Sequence, residues 1–145
     1  MDGDEATAGG FSDAERDAMH QRAEELRAER GGRKKADGLE AALEAIAAMP
    51  DDDRVIAERI HAIVHRVAPH LLARTWYGMP AYADGTDVVC FFQAASKFDA
   101  RYATFGFNDA AALDDAAMWP VAFAIVAWTD TVAERVEELV HRAVG

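Results

Sequence analysis

The 145-residue sequence has few cysteines, few basic residues and no long apolar run. A single cysteine excludes an internal disulfide and favours a reducing compartment, so we expect a cytoplasmic protein. The 15 basic residues face 26 acidic ones, and a net charge of −11 argues against nucleic acid or an anionic membrane surface as partner. No apolar run reaches the ~18 residues of a membrane span. These absences predict a soluble, acidic, globular protein.

The chain divides into three parts by composition. Residues 1–10 are small and acidic and predict a disordered tail. Residues 11–36 predict a helical extension, with a capping box at Ser12 and Glu15 opening a helix over 13–30, followed by a Gly-rich basic linker at 31–38. The extension has a thin apolar stripe, so we expect it to lie loosely on the surface. Residues 37–145 predict the main domain.

Helices and then strands follow within the main domain. A second helix is predicted from Asp37 to Pro50, and a third after Asp51–Asp53, an acidic triplet that suits the positive end of a helix dipole. Strands are predicted at 74–77, 81–83, 87–94, 101–107 and 121–128, with a short helix at 108–113 and a final helix at 131–144. This order predicts an α+β fold, in which helices cover an antiparallel-rich sheet of about five strands.

The third helix carries the best metal candidate. Glu58, His61 and His65 fall within a sector of about 60° on a helical wheel, and two histidines with one carboxylate can hold a divalent ion. The same wheel places them opposite the apolar face, so solvated side chains are the alternative interpretation. Cys90 lies inside the most apolar strand and is expected to be an inert core thiol.

Aromatic residues are dense in the second half of the chain. Most must lie in the core, but those that carry polar groups, close to a Gly-Met-Pro turn and to Lys97, predict a cleft between that turn and a late tryptophan. Lys97 is the only lysine after residue 35 and could hold an anion, or could simply extend from a strand end into solvent. The predicted ligand-binding residues are Trp76, Tyr77, Met79, Tyr82, Lys97, Tyr102 and Trp119.

The segment Trp76-Tyr77-Gly78-Met79-Pro80-Ala81-Tyr82 resembles the YdhG-like family, a widespread domain of unknown function. Pro69 before this element, Lys97 after the strand at 88–95, Trp119-Pro120 and a closing helix agree with the family in order. The resemblance covers about residues 38–144 and implies an α+β fold. One branch of the family is described as a frataxin-like iron chaperone, so the resemblance implies iron as a cargo held on acidic groups. Many members have a histidine near the lysine, where this chain has Lys97-Phe98-Asp99.

Three functions stay open from the sequence. The first is a non-enzymatic binding protein that takes a small molecule in the aromatic cleft, or iron on its acidic surface. The second is an enzyme in which Tyr77 or Tyr82 exchanges a proton with Lys97. The third is an interaction module that uses the two N-terminal helices. The expected assembly is a monomer or a weak homodimer.

Overall fold

The computed structural model describes residues 10–30 and 35–145. Three helices come first, α1 (Asp13–Arg30), α2 (Lys35–Ala47) and α3 (Asp51–Val67). Five strands and one 3₁₀ turn follow: β1 (Leu72–Trp76), β2 (Met79–Asp84), β3 (Asp87–Gln93), the 3₁₀ turn Ala95–Phe98, β4 (Ala103–Phe107) and β5 (Ala122–Ile125). The chain ends with α4 (Asp130–Ala143). Residues 1–9 of the predicted tail at 1–10 lie outside the described residues, as do residues 31–34 of the predicted linker at 31–38.

The five strands form one antiparallel sheet in the order β1-β2-β3-β4-β5. Each strand pairs with its neighbour in sequence, so the sheet is a meander. The continuously apolar strand β3 occupies the centre, as its composition predicts. The predicted α+β class and all five predicted strands are confirmed, with β5 reduced to four residues.

The hydrophobic core lies between the sheet and the helices α3 and α4. Phe92 and Phe105 from the central strands are fully buried against Ile60 and Val64 of α3 and Val140 of α4. The regular spacing of isoleucine and valine along α3 presents one apolar stripe to the sheet. The helix ends at Val67 because Pro69 disfavours the helical conformation at Ala68, the residue before it. No helix within 10–30 and 35–145 combines the length and apolar character needed to cross a bilayer.

Two local predictions are wrong. Residues 35–38 belong to α2 and not to a linker, because Gly38 lets the helix backbone approach β1 so closely that a Cβ would lie 2.9 Å from the Ala73 carbonyl oxygen. The short helix at 108–113 does not form. Leu113 is buried in the core, and the Ala112 amide donates a 2.8 Å hydrogen bond to the Ala143 carbonyl, so tertiary contacts hold this segment in an irregular path.

Candidate functional site

An apolar recess of about 260 Å³ lies between α3 and the start of the sheet. Its walls come from α2, from α3, from the loop after Pro69, and from strands β1 and β2, which all meet at this corner because β1 follows α3 after only four residues. Apolar side chains dominate the lining, and three residues with polar groups interrupt them. The lining residues are Leu39, His61, Val64, His65, Pro69, Leu71, Leu72, Ala73 and Tyr82.

The polar part of this recess is a hydrogen-bonded pair of His61 and Tyr82. Nδ1 of His61 lies 2.9 Å from the phenol oxygen of Tyr82, and the two rings are tilted with centroids 5.6 Å apart. Burial, with the nearby charge of His65, lowers the pKa of His61 below its usual 6.5. Burial raises the pKa of Tyr82 well above its usual 10. Both groups are therefore neutral near pH 7, and the pair can share hydrogen bonds without bringing a charge into the recess.

The predicted metal residues do not share one solvent-facing surface. His61 is half-buried and turned toward Tyr82, whereas Glu58 and His65 are exposed. The helical wheel places His61 in solvent because it contains α3 alone and takes no account of β2 passing beside it. Among the residues that the structure describes, no group of three or more His, Cys, Asp or Glu side chains is placed to hold a metal ion.

The predicted aromatic residues are distributed over separate parts of the molecule. Met79 and Lys97 line a smaller recess of about 160 Å³, and Trp119 lines another of about 140 Å³. Trp76 packs on Tyr77 at 4.9 Å between ring centroids, and Tyr102 lies exposed with the Arg101 guanidinium 5.3 Å from its ring centre.

The single cleft predicted between the Gly78–Pro80 turn and Trp119 is therefore not formed, and these residues line separate recesses. The physical reason is the linear strand order. The turn joins β1 to β2, whereas Trp119 precedes β5, and three strand spacings of about 4.8 Å separate β2 from β5. Tyr82 and Lys97 line different recesses, so the predicted proton exchange between these two side chains has no support in their positions.

Two buried carboxylates that the sequence does not single out as site residues accept hydrogen bonds from backbone that lines the 160 Å³ recess. Glu25 of α1 accepts hydrogen bonds from the amides of Tyr77 and Gly78, each at 3.0 Å. Asp53 of α3 accepts from the first amides of the 3₁₀ turn at 3.0 and 3.2 Å. Asp53 belongs to the acidic triplet, for which the helix dipole is a sufficient explanation from sequence. Glu25 carries no sequence signal, since it lies in a helix rich in charged residues.

Cys90 lies in β3 and is fully buried in the core, as predicted, and burial raises the pKa of its thiol to about 12, so we expect low reactivity. The resemblance to the YdhG-like family rests on the residues from Trp76 to Tyr82 and on the order of the features around them. Comparisons of the chain with protein-family models, with curated proteins and with solved structures found no match.

Proposed function

We propose that this protein belongs to the YdhG-like family and is a non-enzymatic binding protein, which takes a small, mostly apolar ligand in the recess at His61 and Tyr82. The observation that carries the proposal is a recess of about 260 Å³ with apolar walls and one neutral hydrogen-bonded pair in them. Apolar walls with few oriented polar groups are the usual composition of a small-molecule site.

The size and charge of the recess limit the ligand. Its volume lies just below the ~300 Å³ at which sites for drug-sized molecules begin, so it suits a compound about as large as one aromatic ring with a short substituent. A charged ligand would lose hydration in the recess without meeting a counter-charge from the His61–Tyr82 pair. We therefore expect an uncharged ligand with one hydroxyl, amide or ring nitrogen that meets the imidazole, while Tyr82 holds that imidazole in position.

A thermal-shift and NMR screen with neutral ring compounds tests this proposal. Phenol and indole at millimolar concentration are expected to raise the Tm, whereas benzylamine, which is charged, is not. Ala73→Leu fills the recess from β1 and is expected to abolish the response. Ala124→Leu makes the same change at an exposed position of β5 and is expected to preserve it. An equal response from both variants, or none from the unmodified protein, would contradict the proposal.

The hydrogen-bonded pair is tested separately from the volume of the recess. Tyr82→Phe keeps the ring and removes the hydroxyl that orients His61, so we expect ligand affinity to fall about fivefold, equivalent to ~1 kcal/mol. Tyr102→Phe removes an exposed hydroxyl outside the recess lining and serves as the control. Equal affinities for the two variants would leave the pair without a role in binding.

Iron binding is the second candidate, because His61 and His65 lie one helical turn apart and line the same recess in an acidic protein. Ferrous iron held there would broaden the NMR signals of both imidazoles selectively, and His65→Asn would remove the effect. Broadening confined to exposed carboxylates, or unchanged by His65→Asn, would count against this site.

A further inference from the structure

Helix α1 is held to the rest of the protein mainly by polar contacts. Ala18 is its only apolar side chain with less than a tenth of its surface exposed, while Met19 and Leu26 are 40% and 38% exposed. The contacts that hold it come from a row of hydrogen-bond acceptors at i, i+4 and i+8, which are Gln21, Glu25 and Glu29. Residues at this spacing lie on one face of a helix.

The centre of this row is the carboxylate of Glu25. It is 4% exposed, and its two oxygens accept from the consecutive amides of Tyr77 and Gly78. One of these oxygens also accepts from the Arg22 guanidinium of the same helix at 3.4 Å. These two residues form the loop between β1 and β2, and both have positive φ, at 53° and 78°. Successive amides in a tight turn of this kind point toward a common anion. The turn therefore has the geometry of a carboxylate site, and a carboxylate occupies it.

The two ends of the row meet cations. Nζ of Lys97 donates to the Gln21 side-chain oxygen at 3.1 Å, and Arg74 of β1 donates to Glu29. Burial lowers the pKa of Lys97, and the charge of Glu25 partly offsets this effect. Two cations and two aligned amides on one surface form a local concentration of donors in a protein whose net charge is −11.

An apolar recess continues from these donors into the body of the protein. Gly78 and Lys97 belong to its lining together with Met79, Pro80 and Phe92, and its volume is about 160 Å³. The side chain of Gln21 lies directly against Gly78 and accepts from Lys97, so α1 contacts two lining residues of the recess at the point where the donors border it. A ligand with a carboxylate and a short apolar chain would match both parts.

We propose that the Tyr77–Gly78 turn, Lys97 and the adjoining recess form a binding site for a small aliphatic carboxylate, and that Glu25 of α1 occupies this site as an internal substitute for the ligand. Binding requires α1 to move away, which its small apolar contact makes feasible. The helix then acts as a lid whose own side chain competes with the ligand. The site is separate from the recess at His61 and Tyr82, so either proposal can fail without the other.

The direct test is Glu25→Ala in the full chain, with butyrate as the probe. Removing the internal carboxylate is expected to strengthen butyrate binding at least about tenfold, because the ligand no longer competes for the two amides. The amide NMR signals of Tyr77 and Gly78 are expected to shift on addition of butyrate. Glu24→Ala removes a neighbouring exposed carboxylate of the same helix and is expected to bind butyrate as weakly as the unmodified protein.

Three probes separate the parts of the site. Acetate carries the charge without the chain and is expected to bind Glu25→Ala more weakly than butyrate. Butanol carries the chain without the charge and is expected not to bind, and chloride at equal ionic strength measures screening. Equal effects of butyrate and chloride on Glu25→Ala, or equal butyrate affinity for Glu25→Ala and Glu24→Ala, would overturn the proposal.

Hydrogen exchange of the unmodified protein supplies a measurement that does not depend on the folding of Glu25→Ala. Butyrate at high concentration is expected to increase amide exchange in α1 while exchange in α3 stays constant, since only the lid is displaced. Unchanged exchange in α1 at a butyrate concentration that shifts the Tyr77 and Gly78 signals would overturn the proposal that α1 moves away when the ligand binds.

Discussion

The titration of His61 gives the sharpest test of the candidate site. Its pKa lies below the usual 6.5 because the ring is half-buried against Tyr82 and close to His65. The unfolded chain, in which the ring is solvated, therefore binds more protons than the folded one in the range just below pH 6.5. The contribution of His61 to the free energy of unfolding is then fully present above pH 6.5, and it is lost as the pH falls toward the pKa of His61 in the folded protein.

The size of this effect has an upper limit. One proton changes the free energy of unfolding by at most ~1.4 kcal/mol per pH unit, and the solvent that reaches the exposed half of the ring reduces the value. His61→Asn removes the titration and retains a side chain that can hydrogen-bond to Tyr82. We expect the unmodified protein to lose more stability than this variant between pH 7.5 and 5.5.

Urea unfolding at a series of pH values measures the change in stability, and an NMR titration of the imidazole signals measures the pKa of His61. His20→Asn replaces an exposed histidine of α1 and serves as the control. Stability curves of the unmodified protein and His61→Asn that run parallel, or an NMR pKa for His61 at or above 6.5, would refute the reasoning. Affinity for a neutral ligand is expected to fall in the same pH range, because protonation places a charge in the recess.

Three further outcomes follow from buried groups. Cys90 is expected to resist a thiol reagent in the folded protein and to react only on unfolding, since its pKa is raised to about 12; labelling at native rates equal to those of a free thiol would contradict its burial. Gly106→Ala is expected to cost ~1–3 kcal/mol in urea unfolding, because the new Cβ would overlap the Phe91 ring. The same substitution is expected to cost less when it is made in Phe91→Leu, and an equal cost in that background would contradict the proposed overlap. Asp53→Ala is expected to cost roughly 2–4 kcal/mol in urea unfolding, since the amides of Ala95 and Ser96 lose a charged acceptor. Asp52→Ala at an exposed position is expected to cost little, and equal losses would contradict the role of Asp53 as the acceptor for these amides.

Sequence pattern was sufficient for most of the fold. The uninterrupted apolar segment 88–92 predicts the central strand, and the Asp84–Asp87 turn predicts the hairpin between β2 and β3. Both signals are local, because periodicity and turn chemistry act within a few residues. The first residues of α2 were less well predicted, since the linker predicted at 31–38 overlaps a helix that begins at Lys35. Gly38 contributes to the Gly-rich pattern that predicts a linker, and only the presence of the Ala73 carbonyl beside it explains why a residue without a Cβ lies within the helix.

The candidate site was harder to predict than the fold, because it depends on contacts between residues that are distant in the sequence. The sequence indicates Tyr82 and Lys97 as unusual residues but assigns them to one cleft, since it does not show which recess each strand faces. The partner of Tyr82 is His61, 21 residues earlier, and the residue that meets Lys97 is Gln21, 76 residues earlier. Glu25 is one acid among 26, and its role depends entirely on the position of the turn that it contacts.

The contacts of α1 also set an order of events during synthesis. The acceptors of this helix leave the ribosome first, and their donors follow 45 to 76 residues later. At about 5–20 residues per second the helix waits several seconds for its partners. Its charged side chains suit that interval, because a nascent segment that exposes little apolar surface does not aggregate before the sheet exists. The contacts of α1 therefore cannot all form until Lys97 has left the ribosome.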